Sequence, residues 1–177
     1  MSSGTEVPVF TSSDGLAWAP VPAPPFDPLW AQRMGGFQGI AVGRDGTLLA
    51  YGGLTPELWA SDDGRTWGPI QGAMPFPAGG LSSIVATDGG FVAVGYGSGR
   101  GSVWRSADGR TWTREPPHAD FEDADLGAVF VCGETLFVSG HVIRNRWVAD
   151  PAAWALPGGA AGSRRSGRRP RCSGRQA

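Results

Sequence analysis

Two tyrosines, two histidines and one acidic run are the places where this 177-residue chain offers side chains for chemistry. Tyr51 and Tyr96 are its only tyrosines. A tyrosine becomes a nucleophile when a neighbouring carboxylate takes its proton, and no Glu is placed in sequence to do so for either one. Asp120, Glu122, Asp123 and Asp125 put four acids in six residues. That charge would attract a hard cation, but the ligand spacing of a calcium loop is missing, so a solvated acidic loop is expected. The stretch Gly95-Tyr96-Gly97-Ser98-Gly99-Arg100-Gly101 is glycine-rich. A phosphate cradle must open a helix, whereas this run leads into a strand, and Gly97-Ser98-Gly99 lacks the spacing of a nucleophile elbow. His118 and His141 stand alone on expected loops. Cys132 and Cys172 match no metal spacing, and Cys132 reads as a small buried apolar residue. No metal, cofactor or catalytic residue is expected from these groups.

A different carboxylate recurs with regular spacing. Ser106-Ala107-Asp108-Gly109-Arg110-Thr111-Trp112 has a near copy at Ser61-Asp62-Asp63-Gly64-Arg65-Thr66-Trp67 and a looser one at Ser12-Ser13-Asp14-Gly15-Leu16-Ala17-Trp18. A decayed fourth copy reads Val148 to Trp154, with Asp150 in the Asp position and Pro151 in the Gly position. The Asp residues are 49, 45 and 42 positions apart, a period typical of repeated four-stranded units. Asp-Gly between apolar runs marks a hairpin turn, because Gly accepts positive φ and the carboxylate accepts hydrogen bonds from the turn's own N–H groups. The chemistry expected of these carboxylates is therefore acceptance of hydrogen bonds rather than catalysis.

The elements around these turns read as short strands. Val7–Thr11 and Ala17–Val21 flank the first turn, and Phe37–Val42, Thr47–Tyr51, Glu57–Ala60 and Arg65–Pro69 make the next unit. Leu81–Ala86, Phe91–Gly95, Ser102–Arg105 and Thr111–Arg114 repeat it. Leu126–Cys132, Thr135–Ser139, Arg146–Ala149 and Ala153–Leu156 repeat it again. No segment carries helical periodicity. Gly52, Gly95 and Gly140 each follow the second strand of a unit, and Phe76 and Phe121 each precede a unit by five residues, as plugs between units. The connection holding Trp30 is longer than the others, which makes it a functional suspect.

All 15 basic residues are Arg, and their distribution is uneven. Residues 1–155 carry a net charge of −7 and the remainder +6. Residues 158–177 are Gly- and Arg-rich and are expected to be disordered; a solvated tail is the expectation, and nucleic acid is not expected as a partner. The first ten residues show no basic and apolar leader, and no run of 18 apolar residues is present, so a cytoplasmic protein with no membrane segment is expected.

Ser-x-Asp-Gly-x-Thr-Trp at this spacing, between the third and fourth strands of a unit, resembles the Asp-box or BNR repeat of sialidase-like β-propellers. The resemblance covers about residues 7–157, although the usual box has one residue between Asp and Gly where here they are adjacent. It implies an all-β fold with a half blade at 7–22 and blades at 35–70, 80–116 and 126–157. The ring would be incomplete, with self-association through open blade edges. It also implies that Ser12, Asp14, Gly15, Trp18, Ser61, Asp63, Gly64, Trp67, Ser106, Asp108, Gly109, Trp112, Asp150 and Trp154 are structural. Loops at the other mouth of such a fold would hold or border Trp30, Arg33, Tyr96, Arg100, Asp120, Asp123, His141 and Arg144, the candidate binding face for a protein or glycan. The expected function is that of a non-catalytic module or fragment. The alternative is an exo-sialidase-like glycoside hydrolase fragment, whose Phe-Arg-Ile-Pro motif this chain lacks.

Overall fold

A computed structural model of the chain describes residues 9–21, 37–52, 57–70, 76, 80–97, 100–145 and 148–157. They form an all-β architecture of thirteen strands in four antiparallel sheets, none closed on itself. Strands β1 (Val9–Thr11) and β2 (Ala19–Val21) pair with each other. Strands β3 (Phe37–Val42), β4 (Leu48–Gly52), β5 (Glu57–Ser61) and β6 (Gly68–Pro69) form a meander in chain order. Strands β7 (Leu81–Thr87), β8 (Gly90–Gly97), β9 (Arg100–Ser106) and β10 (Thr113–Arg114) form a second. Strands β11 (Ala124–Cys132), β12 (Thr135–Asn145) and β13 (Val148–Pro157) form a three-stranded third. One 3₁₀ turn, Ala119–Phe121, leads into β11. Among the described residues no helix is long and apolar enough to cross a membrane.

The period-2 alternation of a strand sends successive side chains to opposite faces, and here both faces of the β7–β10 sheet are buried. Phe91 and Ala93 of β8 and Trp104 of β9 join Leu49, Tyr51 and Leu58 of the preceding sheet in one core. Their neighbours Val92, Val94 and Val103 join Leu126, Leu136 and Val138 of the following sheet in another. Strand β3 lies beside β7, and β11 lies beside both β7 and β8. The repeated phenylalanines fill the seams. Phe76 meets Trp104 edge-on at 4.9 Å between centroids and Trp112 at 5.6 Å. Phe121 meets Trp154 edge-on at 5.4 Å.

Gly95 and Gly140 lie within the second strands β8 and β12, rather than after them, and have a steric reason. A Cβ on Gly95 would overlap the carbonyl oxygen of Gly80, and one on Gly140 would overlap that of Asp125. The backbones pass too closely there for any side chain.

Three expectations are corrected. The fourth Asp turn does not exist: Asp150 and Trp154 both lie within β13, a continuous strand paired to β12 with Asp150 opposite Val142 and Trp154 opposite Val138. Pro151 occupies the position where the turn needs Gly, and its ring fixes φ near −65°, so the positive φ of the turn is closed to it. Trp154 instead takes the place of Trp104: it stands in the third strand, across from the residue that matches Ala93, and receives Phe121 as Trp104 receives Phe76. Cys132 is buried, as expected of a small apolar residue, but it is disulfide-bonded. Strands after the Asp turns are also shorter than expected, since 65–67 and 111–112 are held in the turn and do not join the ladder. Residues 158–177, Trp30 and Arg33 lie outside the described residues.

Candidate functional site: three Asp turns and the opposite end

The turns at Asp14, Asp63 and Asp108 share one hydrogen-bond pattern. Oδ1 of Asp108 accepts from the N–H groups of Arg110 at 2.8 Å and Thr111 at 2.7 Å and from the Ser106 hydroxyl at 3.0 Å. Its Oδ2 accepts from the Thr111 hydroxyl at 3.2 Å. Asp63 accepts from Arg65 N–H at 2.7 Å, Thr66 N–H at 2.6 Å, the Ser61 hydroxyl at 3.1 Å and the Thr66 hydroxyl at 3.2 Å. Asp14 accepts from Leu16 N–H at 2.8 Å, Ala17 N–H at 2.9 Å and the Ser12 hydroxyl at 3.0 Å. In the first two turns the serine hydroxyl also accepts from the glycine N–H, at 2.8 Å from Gly15 and 2.9 Å from Gly64. Gly15, Gly64 and Gly109 have φ of 74°, 69° and 71°, a region that L side chains rarely adopt. Trp67 and Trp112 close their turns by donating from Nε1 to the carbonyls of Gly64 and Gly109, at 3.2 and 2.9 Å.

Hydrogen bonds to the ionised form hold these carboxyls low. The Thr66 and Arg65 amides bring Asp63 down to about 2, and the Thr111 amide, followed by that of Arg110, brings Asp108 to about 2. The Ala17 and Leu16 amides lower Asp14 in the same direction. Groups of this kind are fixed acceptors at neutral pH and have no proton to give.

The Asp63 and Asp108 turns sit at the same end of their sheets as the β3–β4 and β7–β8 turns, and ion pairs join this end across the two sheets. Arg44 of the β3–β4 turn pairs with Asp88 of the β7–β8 turn, and Arg110 of one Asp turn reaches Asp62 of another at 3.5 Å. All four side chains are exposed, so each pair adds little to stability.

The opposite end carries the described members of the candidate binding face. Tyr96 closes β8, and its N–H donates to the Gly80 carbonyl at 2.9 Å. Arg100 opens β9 and pairs with Glu122 at 2.8 Å, tying the second sheet to the segment that leads into the third. Asp120 lies in the 3₁₀ turn, where its N–H donates to His118 Nδ1 at 3.3 Å; Asp123 accepts from the Ile143 N–H at 2.6 Å through its carbonyl. His141 and Arg144 belong to β12 rather than to a loop, because the β12–β13 hairpin is longer than the β8–β9 one. Arg144 donates from Nε to Asp150 at 2.9 Å. Tyr51, the other tyrosine, is buried in the core over Gly39. Among the described residues no three His, Cys, Asp or Glu side chains gather as a metal site.

One feature absent from the sequence reading is a cleft of about 230 Å³ between the second and third sheets. Ser102, Arg105, Arg114, Glu115, His118 and Phe121 line it. Arg105 pairs with Glu115 at 2.9 Å, and Arg114 donates to the Ser102 hydroxyl. The run Arg114-Glu115-Pro116-Pro117-His118 was the signal available in sequence: charged and aromatic-like groups on a proline-stiffened connection.

No family model matches the chain, and no curated protein is similar to it. A solved structure from Parabacteroides distasonis, provisionally described as a glycoside hydrolase, is similar with a TM-score of 0.45 and 17% identity. The similarity covers 78% of this chain and 53% of that one, so the chain spans about half the length of the protein it matches.

Proposed function

We propose that the chain is a non-catalytic Asp-box module of β-propeller type, in which the sheets β3–β6, β7–β10 and β11–β13 act as successive blades. Its binding face for a protein or glycan partner is the end away from the Asp turns. The observation that supports this most directly is the use made of the repeated carboxylates. Each is occupied by hydrogen bonds from its own turn and held below the usual carboxylate range, which suits a structural anchor and not a general acid. The adjacency of β3, β7 and β11, the first strands of their sheets, is what a blade arrangement requires. Tyr96, Arg100, Asp120 and Asp123, together with the cleft at His118 and Phe121, offer aromatic and charged groups of the kind that bind partners.

The test compares turnover with binding. Purified chain is assayed on fluorogenic glycosides, a sialoside among them, and on immobilised glycans and candidate proteins. Binding that Arg100→Ala and Tyr96→Ala weaken, without turnover, is the expected result. Turnover that Tyr96→Phe abolishes would overturn this reading in favour of a sialidase-like hydrolase.

A further inference from the structure

Residues that match by position in the repeats differ sharply in exposure at the two ends of the stack. Val85 and Val92 face each other across β7 and β8 and pack against the following sheet. Forty-five residues on, Phe130 and Phe137 face each other across β11 and β12 in the same register, and they are 55% and 39% exposed. Ala153 and Ala155 of β13 extend this open face. At the other end the asymmetry is reversed. Trp104 and Trp112 are buried where they meet the preceding sheet, and Trp59 and Trp67 are buried too. Their counterparts beside the first Asp turn, Phe10 and Trp18, are 50% and 62% exposed. Among the described residues no sheet covers the Phe130–Phe137 face of the last sheet, and none packs on the β1–β2 face that carries Phe10 and Trp18.

We propose that these two faces bind each other between copies: Phe130 and Phe137 of one copy dock against Phe10 and Trp18 of a second, head to tail. The contact continues the internal seams by one more step. In the first of those seams Leu49 and Tyr51 of one sheet share a core with Trp104 and Trp112 of the next. Closure within one chain is not the state seen, since both faces are open in the same molecule. An interface of this heterologous kind forms a ring if its rotation closes and a filament otherwise.

Sedimentation equilibrium of the full chain across about 1–100 µM, a range in which exposed apolar faces associate, tests the idea. The mass should rise above the 18.4 kDa of one copy as concentration increases. Phe137→Asp at the tail and Trp18→Asp at the head should each weaken association at least tenfold. A mixture of the two variants should recover dimers, because each keeps the face that the other lacks. These positions are exposed, and circular dichroism checks that the variants fold; Phe137→Ser and Trp18→Ser serve if the charged versions do not. A wild-type chain that stays monomeric throughout, self-association unaffected by the substitutions, or mixed variants that fail to complement would each overturn the proposal.

Discussion

Removing the Asp108 carboxylate tests whether the turn is an anchor. Asp108→Ala deletes acceptors for two backbone N–H groups at 2.8 and 2.7 Å and for two hydroxyls. Bonds to a charged acceptor contribute roughly 1.5–3 kcal/mol each when buried, but this turn is largely exposed and water replaces most of what is lost. The nearest measured analogue is the loss of a helix N-cap, at about 0.5–2 kcal/mol. The expected cost is therefore about 1–2 kcal/mol, or a fall in Tm of roughly 3–6 °C for a chain of this size. Asp108→Asn, which keeps an acceptor but not the charge, should lose about half as much, on the order of 0.5–1 kcal/mol. Urea unfolding followed by tryptophan fluorescence gives the numbers. The pH dependence has a definite sign. The folded carboxyl is held at about 2, against an ordinary value of 3.8. Its contribution is complete above 3.8 and is lost as pH falls through that window, because the unfolded chain takes up the proton first. The gap between wild type and Asp108→Ala should be smaller at pH 3 than at pH 7. An unchanged unfolding midpoint, or a gap that does not shrink in acid, would refute the anchoring role.

Two further comparisons separate causes that a single variant would confound. Gly90→Ala should be severely destabilising, by more than about 2 kcal/mol, since φ is 114° and a Cβ would overlap the Ser106 carbonyl and stand 2.7 Å from Ala107 Cα. Gly15→Ala, with φ of 74° and open space around the Cβ, should cost only the left-handed penalty of about 1–2 kcal/mol; equal costs in denaturant titrations would contradict this. Trp104→Ala should cost about 3–5 kcal/mol, because the ring is fully buried against Phe76, whereas Trp18→Ala should leave the unfolding midpoint of the dilute chain within about 0.5 kcal/mol of wild type. Thermal unfolding at low concentration checks both.

The repeat was legible because its signals are local. Asp-Gly pairs, alternation and a tryptophan after each turn locate ten of the strands around three turns without knowledge of tertiary contacts. The fourth copy keeps the spacing of a turn but not its chemistry. Pro151 cannot take the glycine conformation, and Trp154 matches the third-strand Trp104, not the turn residue Trp112. The extent of β12 and β13 has no local signal: the longer hairpin sets His141 opposite Pro151 and leaves Arg144 at the irregularity between the Ile143 and Asn145 pairs, and no motif marks either. The cleft at Arg114 and His118 depends on how two sheets meet, and a linear pattern does not record that. The open faces at Phe130 and Trp18 look like ordinary core positions in sequence, and only the absence of a packed neighbour distinguishes them.

The repeated carboxylates at Asp14, Asp63 and Asp108 act as fixed acceptors for their turns. An NMR titration of the side-chain carboxyl carbons of Asp14, Asp63 and Asp108 reads that role at each turn. Midpoints below 3.8 are expected for all three, near 2 for Asp63 and Asp108. Midpoints at or above 3.8 would contradict it, because they would mean that the turn amides do not hold the ionised carboxylates.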